Sequence, residues 1–271
     1  MSRRSPRPGP TYRRLGRVAA VLAVLGTVAG CGGGGGAHRT SPPVAGHPRN
    51  MSAYEDTVRV ETSTACAAAK AGASAGAGAN GPLTVRGEGL TDGRFVLTTA
   101  SVVAGARTAT VTNRQGQRVP ARLVTVDPEA NVAWLYAPGL PSRPTMPATA
   151  SDHVAPAYVF AVGAGSGSVS VQRALSLERT TRTGTDVYRR HAVTRQVYVL
   201  HLEHPSTVDA TGSPVLDEDG RLLGLVLSGA AGATEVVALA GDAVAQSPAT
   251  DGLRELADPA AAPMPVTRCV S

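Results

Sequence analysis

The residues able to do chemistry in this 271-residue chain are few and badly placed for it. Thr211 and Ser213 bracket Gly212, and a hydroxyl attacks only when a neighbouring base removes its proton. The nearest bases upstream are His201 and His204, with Glu203 between them. On a strand, residues 201 and 203 share a face while 204 points to the other, so a His-Glu-His grip on a metal ion needs a turn. Exposed histidines at a strand end are the simpler reading, and no metal site or cofactor is expected. His153 and His191 have no chemical partners nearby in sequence. Three cysteines, Cys31, Cys66 and Cys269, complete the inventory.

The charge balance sets the N-terminus apart from the rest. The net charge of +6 invites a nucleic-acid partner, but residues 1–30 hold six arginines and no acid. Setting those six aside leaves 20 basic residues against 20 acidic ones, so no nucleic-acid partner is expected. The arginines run to Arg17, and Val18–Leu25 is apolar but too short to span a bilayer. Val28-Ala29-Gly30-Cys31 resembles the bacterial lipoprotein cleavage box. That resemblance implies a signal peptide over residues 1–30, lipidation of Cys31, and an anchor on the outer face of the cell membrane. Residues 31–65, polar and rich in Gly, Pro, Ser and Thr, then read as a flexible tether.

With Cys31 taken by lipid, Cys66 and Cys269 remain as an even pair at either end of the rest of the chain. An extracytoplasmic compartment permits disulfides, and a Cys66–Cys269 bridge is expected across a domain of residues 66–269.

From Gly81 onward the chain alternates short apolar runs with turn residues, the pattern of an all-β protein. Expected strands include 83–85, 94–98, 108–111, 121–126 and 132–136, then 157–162, 169–177, 196–203, 221–227 and 235–239. Between the two sets lies a Pro-rich connection at 138–147, and Gly241–Gln246 reads as a short closing helix. Aromatic residues are only 3% of the chain, so a core must come from Val, Leu and Ala.

Three segments give this pattern a family likeness. Phe95-Val96-Leu97-Thr98-Thr99-Ala100-Ser101-Val102-Val103 resembles the histidine-bearing segment of trypsin-like serine proteases, with Ser101 in the histidine position. Asp127-Pro128-Glu129-Ala130-Asn131-Val132-Ala133-Trp134-Leu135 resembles the acid-bearing segment, with Asn131 in the acid position. Asp209-Ala210-Thr211-Gly212-Ser213-Pro214-Val215-Leu216-Asp217 resembles the nucleophile segment, with Thr211 in the serine position and Asp209 in place of an oxyanion-hole glycine. The likeness is strongest to bacterial HtrA/Deg-like proteases, within them to the membrane-tethered acid-resistance group, where a disulfide joins the ends of the domain.

This resemblance implies two six-stranded antiparallel barrels, and with the sequence ending at Ser271 no PDZ domain is expected to follow. It also implies that all three catalytic positions are altered. Ser101 is too weak a base to replace an imidazole, Asn131 has no charge to hold an imidazolium, and Thr211 is β-branched and stiff. The expectation is a catalytically inactive relative that binds a peptide or an envelope protein. The rival is an active peptidase with a relocated nucleophile and base, and a third reading is a purely structural spacer.

Overall fold

In the computed structural model the described residues are 48–49, 55–64, 74–76, 83–141, 156–162, 168–256, 258–260 and 268. The expected signal peptide, the lipidation site Cys31, both members of the Cys66–Cys269 pair and most of the Pro-rich connection lie outside them.

The first half builds a barrel from six strands: β1 (Thr57–Thr64), β3 (Leu83–Thr91), β4 (Phe95–Thr98), β5 (Ala106–Thr112), β6 (Arg118–Asp127) and β7 (Val132–Tyr136). The order β1-β5-β6-β7-β4-β3 closes on itself because β1 also pairs with β3. The short β2 (Ser74–Gly76) adds to the outside of β3. The second half forms a closed barrel in the order β10-β13-β12-β11-β8-β9. Its strands are β8 (Ala157–Val162), β9 (Val169–Thr185), β10 (Ala192–Leu202), β11 (Pro214–Asp217), β12 (Leu222–Ser228) and β13 (Glu235–Ala240). Every ladder is antiparallel, as a chain of short strands and tight connections requires.

Local sequence explains the turns. Between β3 and β4, Asp92 Oδ1 accepts the N–H groups of Arg94 and Phe95 at 2.9 and 2.7 Å, while Gly93 takes φ 89°. Three apolar clusters follow from the alternation. One fills the first barrel around Val58, Val60, Val111 and Leu135, and another fills the second around Val159, Leu200, Leu223 and Val236. The third joins Leu90, Leu97 and Trp134 of the first barrel to Phe160, Leu225 and Leu239 of the second, which fixes one barrel against the other. Each large side chain so buried contributes about 1.5–3 kcal/mol.

Short helices lie at α1 (Ala100–Val103), α2 (Gly241–Ala245) and α3 (Pro248–Glu255). Ser247 caps α3 by accepting the Ala249 N–H and donates its own O–H to Asp127 Oδ2 at 2.8 Å. The Trp134 indole donates to Thr250 Oγ1 at 3.2 Å, so the last helix is tied back onto the first barrel. Among the described residues, no helix is long and apolar enough to cross a membrane.

The tether expected over residues 31–65 is corrected at its C-terminal end. Thr57–Thr64 is a barrel strand, and Arg49 already bonds to the Glu218 carbonyl of the second barrel at 3.0 Å. The domain therefore begins before residue 66. The inward face of β1 is Val58, Val60, Thr62 and Thr64, all essentially inaccessible. The buried Thr62 hydroxyl is satisfied by donating to the Val102 carbonyl at 2.7 Å, which lets a polar residue do an apolar residue's work.

Candidate functional site

Two pairs of residues define the site. The first pair sits at the start of α1. Thr99, in the N-cap position, makes no side-chain cap, so the orphan N–H groups need partners from elsewhere. Asn131 supplies them from 30 residues downstream: its carbonyl accepts the Ala100 N–H at 3.2 Å and its Oδ1 accepts the Ser101 N–H at 2.8 Å. Asn131 holds φ 62°, a left-handed conformation that asparagine tolerates better than most residues. Ser101 Oγ donates to Thr99 Oγ1 at 3.1 Å. This pair performs helix capping.

The second pair is Asp209 and Thr211. Asp209 Oδ1 accepts both the Thr211 N–H at 3.0 Å and the Thr211 O–H at 2.7 Å. The loop carrying them is clamped on two sides. Glu88 N–H donates to the Thr211 carbonyl at 2.8 Å, and Gly212 N–H donates to the Val226 carbonyl at 2.8 Å. Gly212 has φ 84°, and a Cβ there would lie 2.2 Å from the Glu88 carbonyl oxygen, so only glycine fits. Thr211 and Ser213 are both inaccessible to solvent, and Ser213 Oγ is buried with no hydrogen-bond partner among the described residues.

Beside the second pair lies a buried carboxyl. Glu88 Oε2 accepts the Val162 N–H at 3.1 Å, and Oε1 is 4.0 Å from Arg59 Nε. Burial pushes its pKa well above the ordinary glutamate range and the charge of Asp209 adds to that, against the pull of Val162 N–H and Arg59. Glu88, Arg59 and Asp209 line a cavity of about 200 Å³.

Ser101 and Asn131 line a larger cavity, of about 340 Å³, between the barrels. Its far wall is Leu227 and Ser228 at the end of β12, and its roof is the tip of the β9–β10 hairpin: Thr185, Asp186, Val187, Arg189 and Arg195. The tip is pinned across the opening. Val187 N–H donates to the Pro128 carbonyl at 3.1 Å, and Arg195 Nε to the Glu129 carbonyl at 2.5 Å. Thr211 lines neither cavity, so the three positions singled out in the sequence divide into Ser101 with Asn131 and Thr211 with Asp209.

The other sequence candidates stay on the surface. His201 is half exposed, with Nδ1 3.9 Å from Glu235 Oε2, and Glu203 and His204 are exposed. Among the described residues, no group of His, Cys, Asp and Glu is placed to hold a metal ion. The residues sequence reasoning missed are Asp186, Arg189 and Arg195, which reach the cavity only because β9 and β10 run eight and four residues beyond the strands read from apolar spacing.

Comparisons agree with this architecture. A family model described as a trypsin-like peptidase domain matches residues 84–225. Comparison with curated protein sequences finds no match. Among solved structures, the active form of the Rv3671c protease from M. tuberculosis is 26% identical with a TM-score of 0.62, covering 83% of this chain and 90% of that one. An inactive form of the same protease gives 26% identity and a TM-score of 0.55 over 74% of this chain and 91% of that one. The HtrA-type protease AlgW with a tripeptide is 18% identical, with a TM-score of 0.50 over 70% of this chain and 57% of that one.

Proposed function

The chain belongs to the trypsin-like peptidase domain family, and we propose that it holds extended peptide segments between its barrels without cutting them. The observation that carries the proposal is the state of Thr211. Its side chain is inaccessible, its hydroxyl donates to Asp209, and its backbone N–H is occupied by the same carboxylate. Peptide hydrolysis needs a hydroxyl relieved of its proton by a base and free N–H groups to receive an oxyanion. Among the described residues, no histidine lines the cavity that holds Ser101 and Asn131. Enzymes that lose only the triad keep roughly 10³–10⁴-fold catalysis through the oxyanion hole and binding. Here a carboxylate already bonds to a backbone donor of that hole, which opposes even the residue.

Support for peptide holding comes from β12. Val226 pairs with Ala238 and Ser228 with Val237, so Leu227 is the extra residue of a bulge with no partner across the ladder. It lies in the wall of the cavity, where an incoming extended segment can pair with its backbone.

The test is recovery of bound peptides from a synthetic mixture by the full chain, read by mass spectrometry. The proposal expects intact peptides, lost when Ser228→Trp fills the cavity. Cleaved products, or equal recovery by the variant, would overturn it.

The N-terminal features complete the proposal. Lipidation at Cys31 places the domain at the outer face of the cell membrane, and a Cys66–Cys269 bridge ties its ends. Incorporation of a labelled fatty acid that survives Cys31→Ala would remove the first claim. Recovery of Cys66 and Cys269 as free thiols from unreduced protein would remove the second.

A further inference from the structure

The roof of the larger cavity carries a guanidinium, Arg195, that forms no ion pair among the described residues. Arg195 is half buried, and its hydrogen bonds go to two neutral acceptors, the Glu129 carbonyl at 2.5 Å and the Thr185 carbonyl at 3.1 Å. None of its nitrogens lies within ion-pair distance of a carboxylate among the described residues. Three acids lie nearby, Asp127, Asp186 and Glu129, none in ion-pair contact with Arg195. Asp186 Oδ1 accepts the Arg190 N–H at 2.8 Å, and Asp127 accepts from Glu129, Ala130 and Ser247. Burial lowers the Arg195 pKa, against the pull of Asp127, Asp186 and Glu129.

Asn131 adds a second donor. Because its side-chain oxygen accepts the Ser101 N–H, the amide orientation is fixed and the remaining group is an NH₂, which can only donate. That nitrogen has no partner among the described residues. Arg189 also lines the cavity and is exposed, and it is engaged in a contact of its own. Asp186 lines the same cavity as an acceptor, but the Arg195 guanidinium and the Asn131 NH₂ are donors with no charged partner in contact among the described residues, and such a pair fits a ligand that presents acceptors and negative charge.

We propose that the cleft selects a carboxylate, an acidic side chain or the terminal carboxylate of a bound peptide, through Arg195 and Asn131. This rests on the peptide-holding reading and adds its specificity. The guanidinium and the amide grip the carboxylate oxygens while the peptide backbone runs along Leu227, so a position that would meet imidazole in an active relative meets an anion here.

The experiment uses the full chain and three fluorescein-labelled pentapeptides: Val-Thr-Val-Glu-Val amide, the same peptide with Gln for Glu, and the Gln peptide with a free C-terminal carboxylate. Binding is followed by anisotropy for wild type, Arg195→Gln and Arg189→Gln, with thermal melts to show that each variant folds. For wild type, at least one carboxylate peptide binds about tenfold tighter than the neutral amide, the scale of one charge-assisted bond. In Arg195→Gln that advantage falls to about twofold or less. Arg189→Gln, exposed and easily tolerated, reduces it by about threefold if Arg195→Gln does not fold.

Equal binding of all three peptides by wild type overturns the carboxylate preference while leaving peptide holding intact. An unchanged advantage in a folded Arg195→Gln overturns the role of Arg195. Binding of no peptide removes the peptide-holding reading together with the inference built on it.

Discussion

One carboxylate oxygen of Asp209 accepts both the N–H and the O–H of Thr211, at 3.0 and 2.7 Å. A single side chain thus occupies the backbone donor that a reaction would need and ties down the hydroxyl that would attack. Two residues apart in sequence, they form a closed local unit.

Removing that unit tests its worth. Asp209→Ala leaves the buried Thr211 hydroxyl and N–H without this acceptor, at a cost of about 1–3 kcal/mol. Urea denaturation should show that loss, and the variant should gain no peptidase activity, since no base arrives with the change.

Asn131 predicts an ordered series. Asn131→Asp keeps the acceptor for Ser101 N–H and the tolerance of φ 62°, so its stability stays close to wild type. Asn131→Gly keeps the backbone freedom and loses the side-chain cap, at about 1 kcal/mol. Asn131→Ala loses both, at about 2 kcal/mol. Chemical denaturation of the three variants checks the order, and an alanine variant as stable as the aspartate would show that capping is not what Asn131 does.

Glu88 gives the domain a pH signature. Folding raises its pKa, so the native state keeps a proton that the unfolded chain releases, and stability falls as pH climbs above the ordinary glutamate value of 4.5. Asp56, raised to about 6 by burial and by Asp92, contributes in the same direction. Glu88→Gln isolates the first group. It should match wild type below about pH 4, where glutamate is protonated in both states, and become the more stable protein as pH rises. Melting curves across that range decide the point, and a variant that loses stability at neutral pH would show that Glu88 serves Arg59 as an ion.

Much of the fold was readable because its strands announce themselves. Val132–Tyr136, Ala157–Val162 and Glu235–Ala240 are dense apolar runs bounded by turn residues, and all three are strands. β1 was not readable because half its inward face is threonine, and apolar spacing cannot see a buried hydroxyl satisfied by Val102. The outer hairpin was missed for the opposite reason. Its polar residues face water on both sides, and cross-strand pairs such as Gln196 with Thr181, at 3.0 Å, carry the ladder past the barrel.

The site divides the same way. Ser101, Asn131, Thr211 and Asp209 lie in segments that resemble a family, so their positions were legible from one chain. The partners that define their present roles were not. Asn131 caps a helix 30 residues away, and Arg195 reaches the cavity from a hairpin whose tip crosses between barrels, and neither contact leaves a local trace in sequence.

Fluorophosphonate labelling of the full chain across acid to alkaline pH tests the central claim most directly, with a Thr211→Ala, Ser213→Ala double variant as control. Folded wild-type protein should show no labelling at any pH. Labelling of the wild type that disappears in the double variant would contradict it and return the chain to the hydrolases.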